Sequence, residues 1–389
     1  MTNMRALTGN EAGAYAIKQI DPDVVPAYPI TPQTELMQTF AQYVADGVVQ
    51  TEMILVESEH SAMSAAVGAS AAGARVMSAT SANGLALMWE IVYIASSSRL
   101  PIVLAVVNRA LSGPINIHCD HADSMGCRDA GWIQIYGENP QEVYDNMIQA
   151  VRIAENKNVL LPVMTTHDGF IISHTVERVD VLEDDQVKKF VGQYSPRYPL
   201  LDTAHPVTYG PLDLQDYYFE HKKQQAEAMK DAKKVILEVG AEYGKLSGRS
   251  YGFFDEYQTE DAEYIVIALG STAGTAKAAV DEMRERGQKV GVIKLRVFRP
   301  FPAPELVKAI SGAKAVAVLD RSEGFNAVAG PVFSEVRSAL YRKSDIPVSA
   351  YVYGLGGRDI TPEMISGVFA DLKSGRLHEE EAFHLGLRE

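Results

Sequence analysis

The chain has only two cysteines, Cys119 and Cys127, in 389 residues. Two thiols cannot build a disulfide framework, and their scarcity suits a reducing compartment. No CxxC or CxxCxxC run occurs, so the chain cannot by itself supply the four thiolates of an iron–sulfur cluster. Long apolar runs are missing too, and none approaches the roughly 20 residues that a membrane span needs. The opening MTNMRALTGNEAG lacks a basic stretch followed by an apolar one, so no secretory or transit peptide is expected and the chain reads as cytoplasmic. Positive charge is in deficit. With a formal net charge of −14 and no Lys/Arg-rich segment to offset it locally, a nucleic-acid partner is not expected.

What is present is an ordinary globular composition, 47% hydrophobic and 22% charged, over a length that suits two domains. Short apolar runs at 24–28, 53–56, 76–79, 102–107 and 159–165 alternate with helical patterns at 10–20, 34–46, 59–73, 84–97 and 140–156. That alternation predicts an α/β fold with a parallel sheet covered on both faces. Between 174 and 211 the periodicity fails around four prolines, which predicts a wrapping segment. Residues 215–244 read as one long charged helix leading to a second, smaller α/β unit. The expected domains are 1–245 and 246–389, and the acidic tail LHEEEAFHLGLRE is expected to lie outside the second sheet, against a neighbour.

Several motifs sit where strands give way to helices, the place where ligands bind in open α/β sheets. In Tyr28-Pro29-Ile30-Thr31-Pro32 the prolines fix the backbone around the Thr31 hydroxyl. The competing reading makes Thr31 a helix cap and Pro32 the first helical residue. Val56-Glu57-Ser58-Glu59-His60 opens a helix rich in Gly, Ala and Ser. Glu59 is either a carboxylate favoured by the helix dipole or an acid that bonds a cofactor ring nitrogen in a dry site. Arg109 follows a strongly apolar strand. Its fork there needs an anion, either a substrate carboxylate such as that of a 2-oxoacid or a neighbouring Asp or Glu.

The run His118-Cys119-Asp120-His121-Ala122-Asp123 crowds ligand-type side chains, yet adjacent residues rarely point inward together and no second ligand pair stands at zinc spacing. A covering loop over 111–127 suits it better than a metal, and no metal is expected on this chain. Gly270-Ser271-Thr272-Ala273-Gly274 and Gly354-Leu355-Gly356-Gly357-Arg358-Asp359 read as structural turns. His167-Asp168-Gly169 lacks the leading Gly and downstream asparagines of a thiamine-diphosphate metal motif.

Taken in order, AYPITPQTEL at 27–36, VESEHSAMSAAVGASAAGAR at 56–75, TSANGLALMWE at 80–90, RLPIVLAVVNRALSGPINIHCDHADSM at 99–125 and RDAGWIQIYGENPQEVYDN at 128–146 resemble the α subunit of pyruvate:ferredoxin oxidoreductase and its branched-chain relatives. FRPFP at 298–302, VLDR at 318–321 and GLGGRD at 354–359 extend the likeness over nearly the whole chain. The resemblance implies a transketolase-like, thiamine-diphosphate pyrimidine-binding domain followed by a smaller domain like the transketolase C-terminal one. It implies that Glu59 contacts the aminopyrimidine ring with Pro29 and Ile30 nearby, and that Thr31 and Arg109 hold the carbonyl and carboxylate ends of the 2-oxoacid.

The activity so implied is oxidative decarboxylation of pyruvate with coenzyme A to acetyl-CoA, reversible as pyruvate synthase, through ylid attack on the 2-oxo carbon and stepwise electron transfer to iron–sulfur clusters. The diphosphate and its Mg2+ fall to a β subunit, and the 4Fe–4S clusters to ferredoxin-like γ and δ subunits. A dimer of heteromers delivering electrons to ferredoxin is expected. Alternatives are the same chemistry on a branched-chain or aryl 2-oxoacid, a lipoamide-linked 2-oxoacid dehydrogenase component, and a non-catalytic scaffold.

Overall fold

The computed structural model describes residues 3–388. The amino-terminal part runs β1 (Asn3–Leu7), α1 (Gly9–Ile20), β2 (Val24–Ala27), α2 (Thr34–Ala45), β3 (Glu52–Leu55), α3 (Glu59–Ala72), β4 (Met77–Thr80), α4 (Ala82–Leu87), α5 (Trp89–Ser97), β5 (Val103–Asn108), α6 (Ala122–Gly126), β6 (Ile133–Tyr136), α7 (Pro140–Ala154), β7 (Val163–Asp168), β8 (Glu177–Val181), α8 (Asp184–Val191) and α9 (Tyr218–Ser247). The carboxy-terminal part runs β9 (Phe254–Tyr257), β10 (Tyr264–Ala268), α10 (Thr272–Glu285), β11 (Val290–Leu295), β12 (Val297–Arg299), α11 (Ala303–Ala309), β13 (Ala315–Asp320), α12 (Pro331–Leu340), β14 (Val348–Tyr353), α13 (Pro362–Ser374) and β15 (Phe383–Leu385). None of the described helices is long and apolar enough to cross a membrane.

The first sheet has the order β12-β6-β7-β5-β4, and the β2-β3 pair lies beside it through a parallel Val24–Val76 bridge. Pairings among β4, β5, β6 and β7 are parallel, as is β2 with β3, so their carboxyl ends open on one edge. Every residue of β5 (VLAVVN) and β7 (VMTTHD) is buried, as a parallel strand covered on both faces requires. Helices α1, α7 and α9 cover one face, with Ala232, Ile236 and Tyr243 of α9 fully buried there. Helices α3 and α5 cover the other around Trp132.

The second sheet has the order β15-β14-β13-β10-β11-β9 and is parallel except for β9. The tail therefore does not lie outside it: β15 extends the sheet beside β14. Phe383 packs edge-on to Tyr351 with ring centroids 6.0 Å apart, which seats the strand. The stretch 174–211 is not irregular throughout either. It begins with β8, paired antiparallel with β1, and with α8, whose Glu183–Gln186 capping box starts a helix where the prolines are absent. Only 192–217 wraps without regular structure. The helix expected over 84–97 is two, because its first turns end at Met88.

Candidate active site

The carboxyl ends of β2, β3 and β5 bring the sequence-derived candidates Thr31, Glu59 and Arg109 to one edge. After β2, Pro29 is exposed and Ile30 half-buried, and the next helix takes Gln33 as its N-cap, without a side-chain capping bond. Thr31 is thus not the cap. Its side chain is exposed and its carbonyl accepts a hydrogen bond of 2.9 Å from Arg109 Nη1. Arg109 Nε donates to the Asn116 carbonyl at 3.0 Å. Arg109 is 8% exposed and its guanidinium meets no carboxylate among the described residues, so the salt-bridge reading is not what the fold built. Two carbonyls orient the fork and leave Nη2 without a protein acceptor.

Glu59 opens α3 behind the N-cap Ser58, whose Oγ accepts from the Ser61 amide at 3.2 Å. The residue is 7% exposed, and its carboxylate accepts no hydrogen bond from the described residues. It faces Gly84. A Cβ there would stand 2.8 Å from Glu59 Oε1 and 2.5 Å from Thr80 Oγ1, so only glycine keeps the gap open. The hydroxyls of Thr80 and Ser81 are buried without a partner. An unmatched buried polar group costs on the order of 1–3 kcal/mol, a cost that a ligand bearing ring nitrogens and an amino group would remove. The residues present fit an aminopyrimidine.

Asp123 ties the two sides together. It is fully buried on α6, and Oδ2 accepts from the Arg109 amide at 3.0 Å and from the Ala82 amide at 2.9 Å. Oδ1 accepts from Asn108 Nδ2 at 2.8 Å and from the Ser124 amide at 2.7 Å. In the sequence Asp123 stood out only as a member of the crowded His/Cys/Asp run. The structure turns that run in several directions. His118 is exposed and packs on Phe170, Asp120 Oδ2 accepts from the Gly356 amide at 3.2 Å, and His121 Nε2 bonds Asp168 at 2.7 Å. Burial pushes the Cys119 thiol well up, so it stays protonated.

Cys119, His121 and Asp168 stand close enough to hold a metal, but Arg321 Nη1 already meets Asp168 at 3.0 Å and supplies the cation. Likewise, Glu138, Glu142 and Asp255 surround the Lys294 ammonium. The expected covering loop shrinks accordingly: 111–118 is largely exposed, whereas 119–127 is built into the seam between the two parts.

Family models match most of the chain: "Pyruvate flavodoxin/ferredoxin oxidoreductase, thiamine diP-bdg" over residues 15–241 and "Pyruvate:ferredoxin oxidoreductase core domain II" over 262–365. The chain is 61% identical to "Pyruvate synthase subunit PorA" of Thermotoga maritima, over 99% of this chain and 98% of that one. It is 46% identical to the protein of the same name from Methanocaldococcus jannaschii, over 100% and 99%. "Ketoisovalerate oxidoreductase subunit VorA" of Pyrococcus abyssi is 43% identical over 98% of each. Among solved structures, a 2-oxoglutarate:ferredoxin oxidoreductase from Magnetococcus marinus superposes with a TM-score of 0.73 at 19% identity, covering 95% of this chain and 65% of that one. A split-gene transketolase superposes at 0.56 and 13%, covering 96% and 99%.

Proposed function

Because the chain belongs to the pyruvate flavodoxin/ferredoxin oxidoreductase family, we propose that it serves as the substrate-side subunit of a thiamine-diphosphate-dependent pyruvate:ferredoxin oxidoreductase. The reaction is oxidative decarboxylation of pyruvate with coenzyme A to acetyl-CoA and carbon dioxide, electrons passing to ferredoxin, and it reverses as pyruvate synthesis. The observation that carries this reading is the buried, unpartnered Glu59 beside Gly84, on the same strand edge as an Arg109 that no carboxylate neutralises.

Bound thiamine diphosphate supplies the electron sink that lets a 2-oxoacid lose its carboxylate. This chain's own groups do the rest. Glu59 Oε1 holds or accepts the proton shared with a ring nitrogen, in a pocket dry enough to strengthen that bond. The Thr80 and Ser81 hydroxyls stand ready as further partners, and Pro29 and Ile30 give the ring apolar surroundings. Arg109 Nη2 takes the substrate carboxylate, and Thr31 Oγ1 bonds the 2-oxo oxygen.

The chain lacks thiolate clusters and a diphosphate–metal motif, so Mg2+ falls to a partner β subunit and the 4Fe–4S clusters to γ and δ subunits, in a dimer of heteromers. We place the domain division at 245/246, where α9 nears its end. Pyruvate is favoured over a branched-chain acid because the 61% relative bears the pyruvate name and the ketoisovalerate relatives stand at 43–44%.

The test is purification of the native complex and reduction of a low-potential dye with a panel of 2-oxoacids. Pyruvate is expected to give the highest kcat/KM. Glu59→Gln is expected to assemble normally and lose about a hundredfold or more in turnover, the size of a general acid–base contribution. Wild-type turnover in that variant would remove Glu59 from the mechanism.

A further inference from the structure

At the opposite end of α3 from Glu59, the wrapping segment 192–217 borders a half-open cavity of about 420 Å3 with the last turn of that helix and the α5–β5 turn. Ser70 on its wall stands eleven residues beyond Glu59, about 16 Å along the helix at 1.5 Å per residue, so the two places are separate. Leu200 anchors the segment by donating its amide to the Ala71 carbonyl at 2.9 Å. Nothing in the proposed reaction uses this cavity.

The wall chemistry is unbalanced. Arg99 and Arg197 both line it and no Asp or Glu does, on a chain whose net charge is −14. Arg99 is held from behind by carbonyls: Nε donates to Leu160 O at 3.1 Å and Nη2 to Val159 O at 2.5 Å. Its Nη1 reaches only Gln224 O, at 3.5 Å, the long limit of a hydrogen bond. Neither guanidinium has a carboxylate partner among the described residues. Burial, then the nearby Arg197 charge, push the Arg99 guanidinium down. Asp231 opposes that shift from a distance, but no carboxylate touches either guanidinium, and two like charges gathered in one recess are a cost that a bound anion would convert to a gain.

Two further features specify the anion. The Ser70 hydroxyl, in a residue 4% exposed, is buried with no hydrogen-bond partner at this wall. Tyr194, Tyr198 and Tyr209 line the recess, Arg75 and Arg197 lying over one face of Tyr194 and of Tyr198, and the Tyr209 hydroxyl donates to the Tyr198 carbonyl at 3.0 Å, which fixes the segment. Guanidinium forks match phosphate oxygens, tyrosine faces stack planar rings, and the volume lies in the small-ligand range of roughly 300–1,000 Å3.

We propose that this cavity binds an aromatic phosphate monoester of nucleoside-monophosphate size, with the phosphate on Arg99, Arg197 and Ser70 and the ring among the tyrosines. Arg197 is exposed and makes no ion pair, and its guanidinium lies 5.0 Å from the centroid of the equally exposed Tyr198 ring, so Arg197→Gln alters only this surface contact and leaves the core and the catalytic edge intact. With AMP as probe on the purified complex, titration calorimetry is expected to show binding in the submillimolar range. Adenosine and inorganic phosphate are each expected to bind more weakly. Loss of one charged hydrogen bond should make AMP binding to Arg197→Gln about tenfold or more weaker. The KM for coenzyme A, which also carries an adenine nucleotide, should not move. No AMP binding at millimolar concentration, equal affinity in Arg197→Gln, or a coenzyme A KM that shifts together with AMP affinity would each overturn the assignment.

Discussion

Asp123 shows how one side chain can set two others. Its oxygens hold the backbone of Arg109 and of Ala82, and Ala82 begins the helix that brings Gly84 against Glu59. Only the ionised carboxylate accepts all four donors, yet burial pushes its carboxyl up to about 6. The neighbouring Cys127 and Tyr136 are pushed upward by burial too and stay neutral across that range. A folded value above the unfolded value of about 3.9 means that this group's contribution to stability falls as pH rises between roughly 4 and 6. The positioning of Arg109 runs the other way and is complete only above about pH 6. The KM for pyruvate is therefore expected to rise as pH falls below about 6. Asp123→Asn should raise it about tenfold at neutral pH and abolish that limb, and adding Asn108→Asp should restore part of the loss. A pH profile of KM identical in wild type and Asp123→Asn would refute the role. That Thr31, Glu59 and Arg109 each follow a strand was legible in the sequence, because short apolar runs end just before them. Asp123 was not, because within a run of ligand-type residues only the paths of β5 and α6 decide which one turns inward.

The loop 111–118 is an element held from two sides. Ser112 donates its amide and hydroxyl to Asn83 Oδ1 at 3.2 and 3.0 Å, and Asn116 Nδ2 donates to Gly356 O at 3.0 Å. Gly357 adopts φ +82, and a Cβ there would stand 2.3 Å from His118 Cβ. Gly357→Ala must therefore displace the loop, and with it the Asn116 carbonyl that orients Arg109 Nε. Steady-state kinetics should show a several-fold rise in pyruvate KM. Chemical denaturation should show a loss of about 1–3 kcal/mol from the strained backbone. An unchanged KM alongside that stability loss would mean that the glycine serves folding alone. Several helices were legible to within a residue or two, as with 34–46 against Thr34–Ala45, because caps and apolar periodicity mark them locally, whereas α8 and α13 were missed. The strands at Ile133–Tyr136 and Phe383–Leu385 were missed because runs of three or four residues carry no period. They become strands only when a neighbouring edge pairs with them.

Across the whole molecule, motifs far apart in the chain meet at Asp168. Its carboxylate lies 2.7 Å from His121 Nε2 and 3.0 Å from Arg321 Nη1, and it accepts from the Ser271 amide at 3.1 Å and hydroxyl at 2.5 Å. The two parts are joined again where β12 pairs with β6 at Val297 and Ile135, and where Lys294 enters the carboxylates of Glu138 and Glu142. These turns read as local punctuation in the sequence. Their shared purpose is invisible there because no periodicity records which of them face one another. Burial pushes the Asp168 carboxyl up, but His121, Arg321 and Ser271 together hold it well below the usual carboxylate range. A depressed folded value gives stability that is present above the unfolded value of about 3.9 and lost only as pH falls below it, so the seam should survive mild acid. Asp168→Asn would leave the buried Arg321 guanidinium without a carboxylate in contact, Asp120 acting only from farther off, which costs up to about 3–5 kcal/mol. Adding Arg321→Gln removes the stranded charge, so the double variant should be less destabilised than the sum of the singles. Denaturation of the four proteins measures that coupling directly. Strict additivity would show that β12 and the Lys294 cluster hold the halves together without Asp168.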